Sequence, residues 1–383
     1  MKFPLIARVA ALLLTGAMTA AQADVNVGVT LSLTGPGASL GIPSHNAVKL
    51  FPRDINGEKI NYVVLDDGSD PSTALRNLQK LSDDNLADVI IGSSITPATL
   101  AMVDAAGERK LPLLSLAASA RIVLPQDASR HWVFKAISNE SLVAAVTVDN
   151  MLANKVKTLG FIGFSDPYGE SWLNEIKAAA EPAGIRIVAV ERYARNDTSV
   201  IGQAVKLLSA KPDAIMIAGA GTPAALPQKT LVERGYKGHI YQTYGIANND
   251  FLKVAGKDAE GAVFAAGGVV VADQLDPSNP TRKIALSEIQ AYENAYGKGS
   301  MNIFAANTID TNLLLRKALP AALAKARPGT VEFRSALRDA LEQVRDLVTT
   351  QGIINMTPED HVGYDKRAVV AIQVKNGAWL YVK

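Results

Sequence analysis

The chain of 383 residues carries 39 Lys and Arg, 37 Asp and Glu, and no cysteine. This near-neutral balance gives no reason to expect nucleic acid or an anionic membrane surface as partner. Without cysteine there are no disulfides, so packed cores must hold the protein, and its length suits two lobes better than one ordinary core.

In chain order, Lys2 and Arg8 precede the apolar segment "VAALLLTGAMTA" and then "AQA" at Ala21–Ala23. A basic start, a short apolar stretch and small residues at a cleavage position predict a secretory signal peptide over residues 1–23. The apolar run is too short and too rich in small residues to serve as a membrane anchor. No later segment is long enough to span, so a soluble periplasmic protein is expected. No cysteine follows the site to carry a lipid.

From residue 24 on, strand-like apolar runs alternate with helical patterns. "VNVGVTLSL" (25–33) leads to a helical pattern around residues 45–55, then "INYVVLDD" (60–67) and a helix over 71–84. "ADVIIGSS" (87–94), a helix from Pro97, "LPLLSLAA" (111–118) and "HWVFKAI" (131–137) complete a first unit. A second series holds helices at 140–153, 168–184, 199–210 and from Pro223. Its strands are "TLGFIGFS" (158–165), "IRIVAVERY" (185–193), "DAIMIAGAG" (213–221) and "HIYQTYG" (239–245). Nearly continuous apolar strands mean helices on both sheet faces, hence an α/β protein with two doubly wound parallel sheets. Helices near 280–296, 303–325 and 330–344, before a β region ending "VVAIQVKNGAWLYVK", imply that the chain returns to the first lobe. The expected division is lobe 1 from 24–137 plus 270–345 and lobe 2 from 138–269 plus 346–383, joined by a multi-strand hinge.

Two junctions resemble each other. "IIGSSITPATL" (90–100) and "IAGAGTPAAL" (217–226) both run a buried strand into small residues and Thr-Pro. Pro97 and Pro223 suit a first helical position, with Thr96 or Thr222 as N-cap. An ordinary cap explains each alone. Next to the first junction, however, "PLLSLAASA" also ends at small residues and Ser119, and the two strand ends together make a hydroxyl shelf suited to a carboxylate. Neither loop is a phosphate loop.

The ordered set "VGVTLSLTGPGASLG", "DDGSDPSTAL", "IIGSSITPATLA", "PLLSLAAS" and "DPYGES" resembles the branched-chain amino acid class of ABC-importer binding proteins. Their fold is the type I periplasmic binding-protein fold. The resemblance covers essentially all of the chain after the leader. It implies a monomeric protein that closes two lobes on a small carboxylate, delivers it to an inner-membrane ABC permease and catalyses nothing. It also implies that Thr96 binds the ligand carboxylate, with the Ser94 and Ala117 backbones nearby and Ser119 as a second hydroxyl donor. Tyr168 matches a far-lobe residue that closes over the ligand, and Leu40 stands where an aromatic commonly touches it. Both can equally be read as packing residues.

One departure bears on the ligand. The place of the acidic residue that holds an amino acid's ammonium is taken by Tyr244, in "YQTYGIANND". Gly219 and Gly221 stand where bulkier residues often occur, which is expected to enlarge the far wall. These features look most like the aromatic-carboxylate subgroup, so a benzoate- or phenylpropanoid-like acid is the preferred ligand. The alternatives are an aliphatic amino acid, with Asp166 or another acid serving its ammonium, or a sensor that presents ligand to a receptor.

An exported enzyme is disfavoured. "GFSDPYG" is not G-x-S-x-G, and adjacent Asp66 and Asp67 point to opposite faces of a strand. The histidines His45, His131, His239 and His361 lie far apart in sequence, so neither a metal nor another cofactor is expected.

Overall fold

The strand β1 (Val25–Leu31) is buried at every position but Asn26, which suits a strand covered on both faces. It lies between two parallel neighbours, β3 (Glu58–Asp66) and β4 (Val89–Gly92). The computed structural model describes residues 24–55 and 57–382, so the predicted leader lies outside the described residues. A short β2 (Asp54–Ile55) pairs antiparallel with β3, and β5 (Leu113–Ser115) and β6 (Val133–Lys135) extend the other side. The resulting order is β2-β3-β1-β4-β5-β6.

Helix α1 (Ala38–Lys49) follows β1, α2 (Pro71–Asp83) follows β3, and α3 (Thr96–Glu108) follows β4. Local chemistry sets α2. Asp70 caps it by accepting from Thr73 N–H, Pro71 takes the first position, and Ala74, Leu78 and Leu81 share one buried face. Leu81→Ala would leave a cavity costing about 2–5 kcal/mol. The first helix begins earlier than the apolar pattern around 45–55 predicts. "GASLGIP" reads as helix-breaking, yet the helix runs through Pro43, and Ser44 Oγ donates to the Leu40 carbonyl beside the interruption.

The second sheet contains parallel strands β7 (Thr158–Phe164), β8 (Arg186–Tyr193), β9 (Ala214–Ala218), β10 (His239–Gln242) and β11 (Val263–Ala266). Helices α4 (Glu140–Ala153), α5 (Pro167–Ala180), α6 (Ile201–Ser209), α7 (Ala225–Glu233) and α8 (Asn249–Ala255) connect or flank them. Neither β2 nor β11 is marked by a pattern in the sequence. Two residues of β2 are too few to show a period, and β11 lies among glycines and alanines in "GAVFAAGG".

Next come α9 (Arg282–Tyr296), α10 (Ile303–Leu323) and α11 (Val331–Glu342). They return to the first sheet's side: Tyr292 and Tyr296 donate to the Pro43 and Asn46 carbonyls of α1, and Asn312 donates to Tyr62 of β3. A ribbon of β12 (Leu347–Val348) and β13 (Ile353–Ile354) follows. Then β14 (Val370–Lys375) and β15 (Ala378–Val382) join the second sheet antiparallel, giving β15-β14-β11-β10-β9-β7-β8. The chain therefore passes between the two sides three times. Helix α10 buries Asn307 and Asp310, and the ribbon satisfies them: Gln351 donates to both, and Thr350 N–H donates to Asp310. Burial pushes the Asp310 carboxyl up to about 6.

Candidate functional site

The carboxyl ends of β4, β5, β9 and β10 face one cleft between the sheets. Leu40, Ser94, Thr96, Ala117, Tyr168 and Tyr244 line it. The cleft thus gathers most of the residues that the sequence singles out, from both sides of the molecule. Such strand ends are where open α/β sheets hold ligands.

The first junction is organised by a buried acid. Asp67 accepts from Ser93 Oγ at 2.6 Å, Ser32 Oγ at 2.8 Å and Ser69 N–H at 2.9 Å. Burial raises its carboxyl above the usual range, and these hydrogen bonds offset part of the shift. Ser94 Oγ accepts from Ser32 N–H at 3.3 Å. The helix start is displaced by one residue from the expected cap. Ile95 takes the N-cap position, Thr96 is the first helical residue, and the Thr96 hydroxyl caps nothing. That Oγ1 is buried and has no hydrogen-bond partner among the described residues. A buried hydroxyl left unpaired costs about 1–3 kcal/mol, a cost that a ligand acceptor removes.

Ser119 stands elsewhere. Its hydroxyl is fully buried, donates to Ser171 Oγ at 2.9 Å and accepts from Arg121 N–H, and the residue is not part of the cleft lining. Ala117 lines the cleft, but Ser115 Oγ holds both its N–H and its carbonyl. The second junction also differs from expectation. A 3-10 turn, Thr222–Ala224, precedes α7, and Thr222 makes no side-chain cap. Gly219 and Gly221 do not open space for a ligand. A Cβ at Gly219 would meet Tyr193 Oη at 2.4 Å, and one at Gly221 would lie 2.3 Å from Ser39 Oγ and 2.6 Å from Leu40 Cδ1. Gly221 also has φ +64°, which side chains rarely adopt. Its smallness lets the two walls meet, and Thr222 N–H donates to Ser39 Oγ at 3.3 Å across that contact.

The far wall is aromatic. Tyr168 Oη lies 2.8 Å from Thr243 Oγ1 and donates to the Gly219 carbonyl at 3.4 Å. Tyr244 packs edge-on to Trp172, and its hydroxyl is buried with no partner among the described residues. Burial raises both phenols, so each is a neutral donor.

Three lining residues lie outside every stretch singled out in the sequence for the site: Arg195, Phe304 and Asn307. Arg195 follows β8, pairs through Nε with Asp166 Oδ2 at 2.6 Å and covers the Phe164 ring at 4.1 Å. Its Nη1 is buried without a partner among the described residues. Among the described residues that line the cleft, Arg195 is the one charged side chain. In sequence it was one of several charges in "ERYARND", and no spacing marks it. Phe304 and Asn307 come from α10, whose polar residues inside an apolar helix were the available signal.

Outside the lining, Glu140 Oε2 accepts from Ser171 Oγ and Ala120 N–H, its Oε1 is buried with no partner among the described residues, and Lys135 Nζ donates to the Ala118 carbonyl. Burial pushes the Glu140 carboxyl well above the usual range, with Lys135 offsetting part of the shift, and burial lowers the Lys135 ammonium.

Two α/β lobes, three crossings and a cleft at the strand ends define the type I periplasmic binding-protein fold. A family model described as periplasmic binding protein matches residues 24–378, and the chain belongs to that family. It is 24% identical over 314 residues to "Leu/Ile/Val-binding protein homolog 3" of Brucella melitensis, covering 80% of this chain and 83% of that one. An extracellular ligand-binding receptor from Rhodopseudomonas palustris HaA2 superposes with a TM-score of 0.91 at 44% identity, covering 94% of this chain and 100% of that one. A solute-binding protein of an R. palustris ABC transporter, solved with benzoate, superposes with a TM-score of 0.81 at 21% identity, covering 94% and 96%. Membership implies a small-molecule ligand, an ABC permease and the periplasm. Among the described residues no helix is long and apolar enough to cross a membrane.

Proposed function

We propose that this protein captures a small aromatic carboxylate between its lobes, as the solute-binding component of an ABC importer. The observation that carries this reading is the charge of the cleft. Arg195 is its one charged lining residue, and Thr96 Oγ1, Tyr244 Oη and Arg195 Nη1 are buried donors without partners among the described residues. Three spare donors suit an anion. An ammonium there would meet a guanidinium and no lining carboxylate, and an uncompensated buried charge is costly. Asp166 is engaged by Arg195, and Glu140 does not line the cleft: its Oε2 accepts from Ser171 and Ala120, while its Oε1 is buried with no partner among the described residues. The rest of the wall, Leu40, Ile95, Leu116, Ala220 and Phe304 with both tyrosines, suits a ring.

Mechanistically, Arg195 and Thr96 approach the ligand from opposite lobes, so a bound anion bridges them and favours the closed state. The Gly221–Ser39 contact then seals the cleft.

The second reading is an aliphatic amino acid, which the names of the Brucella relatives favour. Thermal shift of protein refolded free of endogenous ligand separates the two. We expect stabilisation by 4-hydroxybenzoate or coumarate and none by leucine; stabilisation by leucine alone would overturn the aromatic reading.

A further inference from the structure

Three residues far apart in sequence meet at the outer edge of the first sheet. The backbone of β6 continues its hydrogen bonding into a loop, with Lys135 N–H donating to the His361 carbonyl at 3.0 Å. That docking brings His361 onto Phe134, ring centroids 3.9 Å apart and nearly parallel, where its side chain is fully buried. His361 Nδ1 lies 2.9 Å from the Val133 carbonyl. A carbonyl only accepts, so Nδ1 carries the proton, and in the neutral ring Nε2 presents a lone pair. Nε2 faces Glu342 Oε1 at 3.3 Å, and His131 Nδ1 faces the same oxygen at 3.4 Å. The His361 lone pair and a carboxylate oxygen are thus turned toward one another, with the second imidazole beside that oxygen. Such an arrangement calls for a cation among them.

We propose that His131, Glu342 and His361 form a binding site for a divalent ion of the zinc class. The donor set is two imidazoles and one carboxylate, with ligand atoms all within 4.8 Å of one another. Zinc bonds of about 2.0–2.1 Å in a tetrahedron put neighbouring donors about 3.3 Å apart, which matches both distances to Glu342. The Nδ1–Val133 bond is the outer hydrogen bond that orients a ligating imidazole. His131 is about a third exposed, its side chain at 36%, which leaves the fourth position to water from that side.

The site fits a staple better than a ligand subsite. Its donors come from the segment before β6, the end of α11 and the loop before β14, and none of them lines the cleft. An ion would therefore tie the third passage between the lobes to the edge of the first sheet. This inference stands apart from the identity of the cleft ligand.

The test uses tag-free protein stripped with a chelator. Calorimetric titration with Zn²⁺ should give one ion per chain, and Co²⁺ should develop the intense visible band of four-coordinate cobalt. His131→Asn, a change at the partly exposed ligand, should weaken Zn²⁺ at least tenfold and abolish that band, and so should Glu342→Gln. Affinity for the cleft ligand should stay within twofold in both variants. Failure to take up either ion, or uptake unchanged in both variants, overturns the proposal and leaves a hydrogen-bonded His–Glu–His cluster.

Discussion

The junctions at Ser93–Pro97 and Gly219–Pro223 are near-twins in sequence and opposites in use. At the first, Asp67 gathers hydroxyls around the strand end and α3 starts one residue early, leaving Thr96 Oγ1 buried and unpaired. At the second, the glycines carry no side chain because protein atoms already occupy that space, and the backbone of residues 221–222 touches α1. On the proposed reading, the first junction holds a donor in reserve for a ligand, and the second is a contact surface for closure. Similar strand-to-helix sequences therefore say where a site is, while the side chains packed beneath them decide what each junction does.

Substitutions separate these two uses, and the largest effect is expected at the contact surface. Gly221→Val would place a Cβ against Ser39 and Leu40 at a backbone angle that favours glycine. With strain of about 1–3 kcal/mol plus the clash, ligand affinity should fall on the order of 100-fold. Small-angle scattering should then show no compaction on adding ligand, and normal compaction would count against the closure role. Next comes Arg195→Met. Loss of a hydrogen bond from a charged donor, about 1.5–3 kcal/mol, predicts a Kd about 10- to 100-fold weaker by calorimetry. An unchanged Kd would remove Arg195 from the anchor. Thr96→Val should cost about 1 kcal/mol, or roughly fivefold. Thr222→Val, its counterpart in the second junction, should leave Kd within twofold, and equal losses at the two would erase the contrast drawn between them.

The smallest expected effect is that of pH. A ligand carboxylate stays ionised above about pH 5.5, so an anion held as proposed should bind with nearly flat affinity from there to about pH 9. Were Glu140 instead the partner of a ligand ammonium, binding would require its ionised form. Because burial raises that carboxyl, affinity would then climb with pH through the raised value. Titrations at several pH values distinguish the two profiles.

The α/β alternation, the two sheets and the returning helices were legible because strands covered on both faces are continuously apolar, as in "VNVGVTL" and "AIMIA". Thr96, Ser94, Tyr168, Tyr244, Ala117 and Leu40, named from sequence, all line the one cleft. Ser119 and the two glycines were harder to read. Whether a hydroxyl faces a ligand or a neighbour such as Ser171 depends on long-range packing, and so does what lies opposite a glycine. Arg195 was illegible for a related reason: its ion pair with Asp166 spans 29 residues and has no local period. The distance in sequence between His131 and His361 likewise concealed that β6 pairs with the loop carrying the second histidine.

On the proposed reading the cleft selects a negative charge on a ring-bearing ligand and has no need of an ammonium. Calorimetric titration of ligand-free protein with 4-hydroxybenzoate and with 4-hydroxybenzamide tests it most directly, because the pair share the ring and differ in charge. The acid should bind at least about tenfold more tightly than the amide, given about 1.5–3 kcal/mol for a hydrogen bond to a charged group. Equal affinity for acid and amide, or leucine binding more tightly than either, would contradict the account.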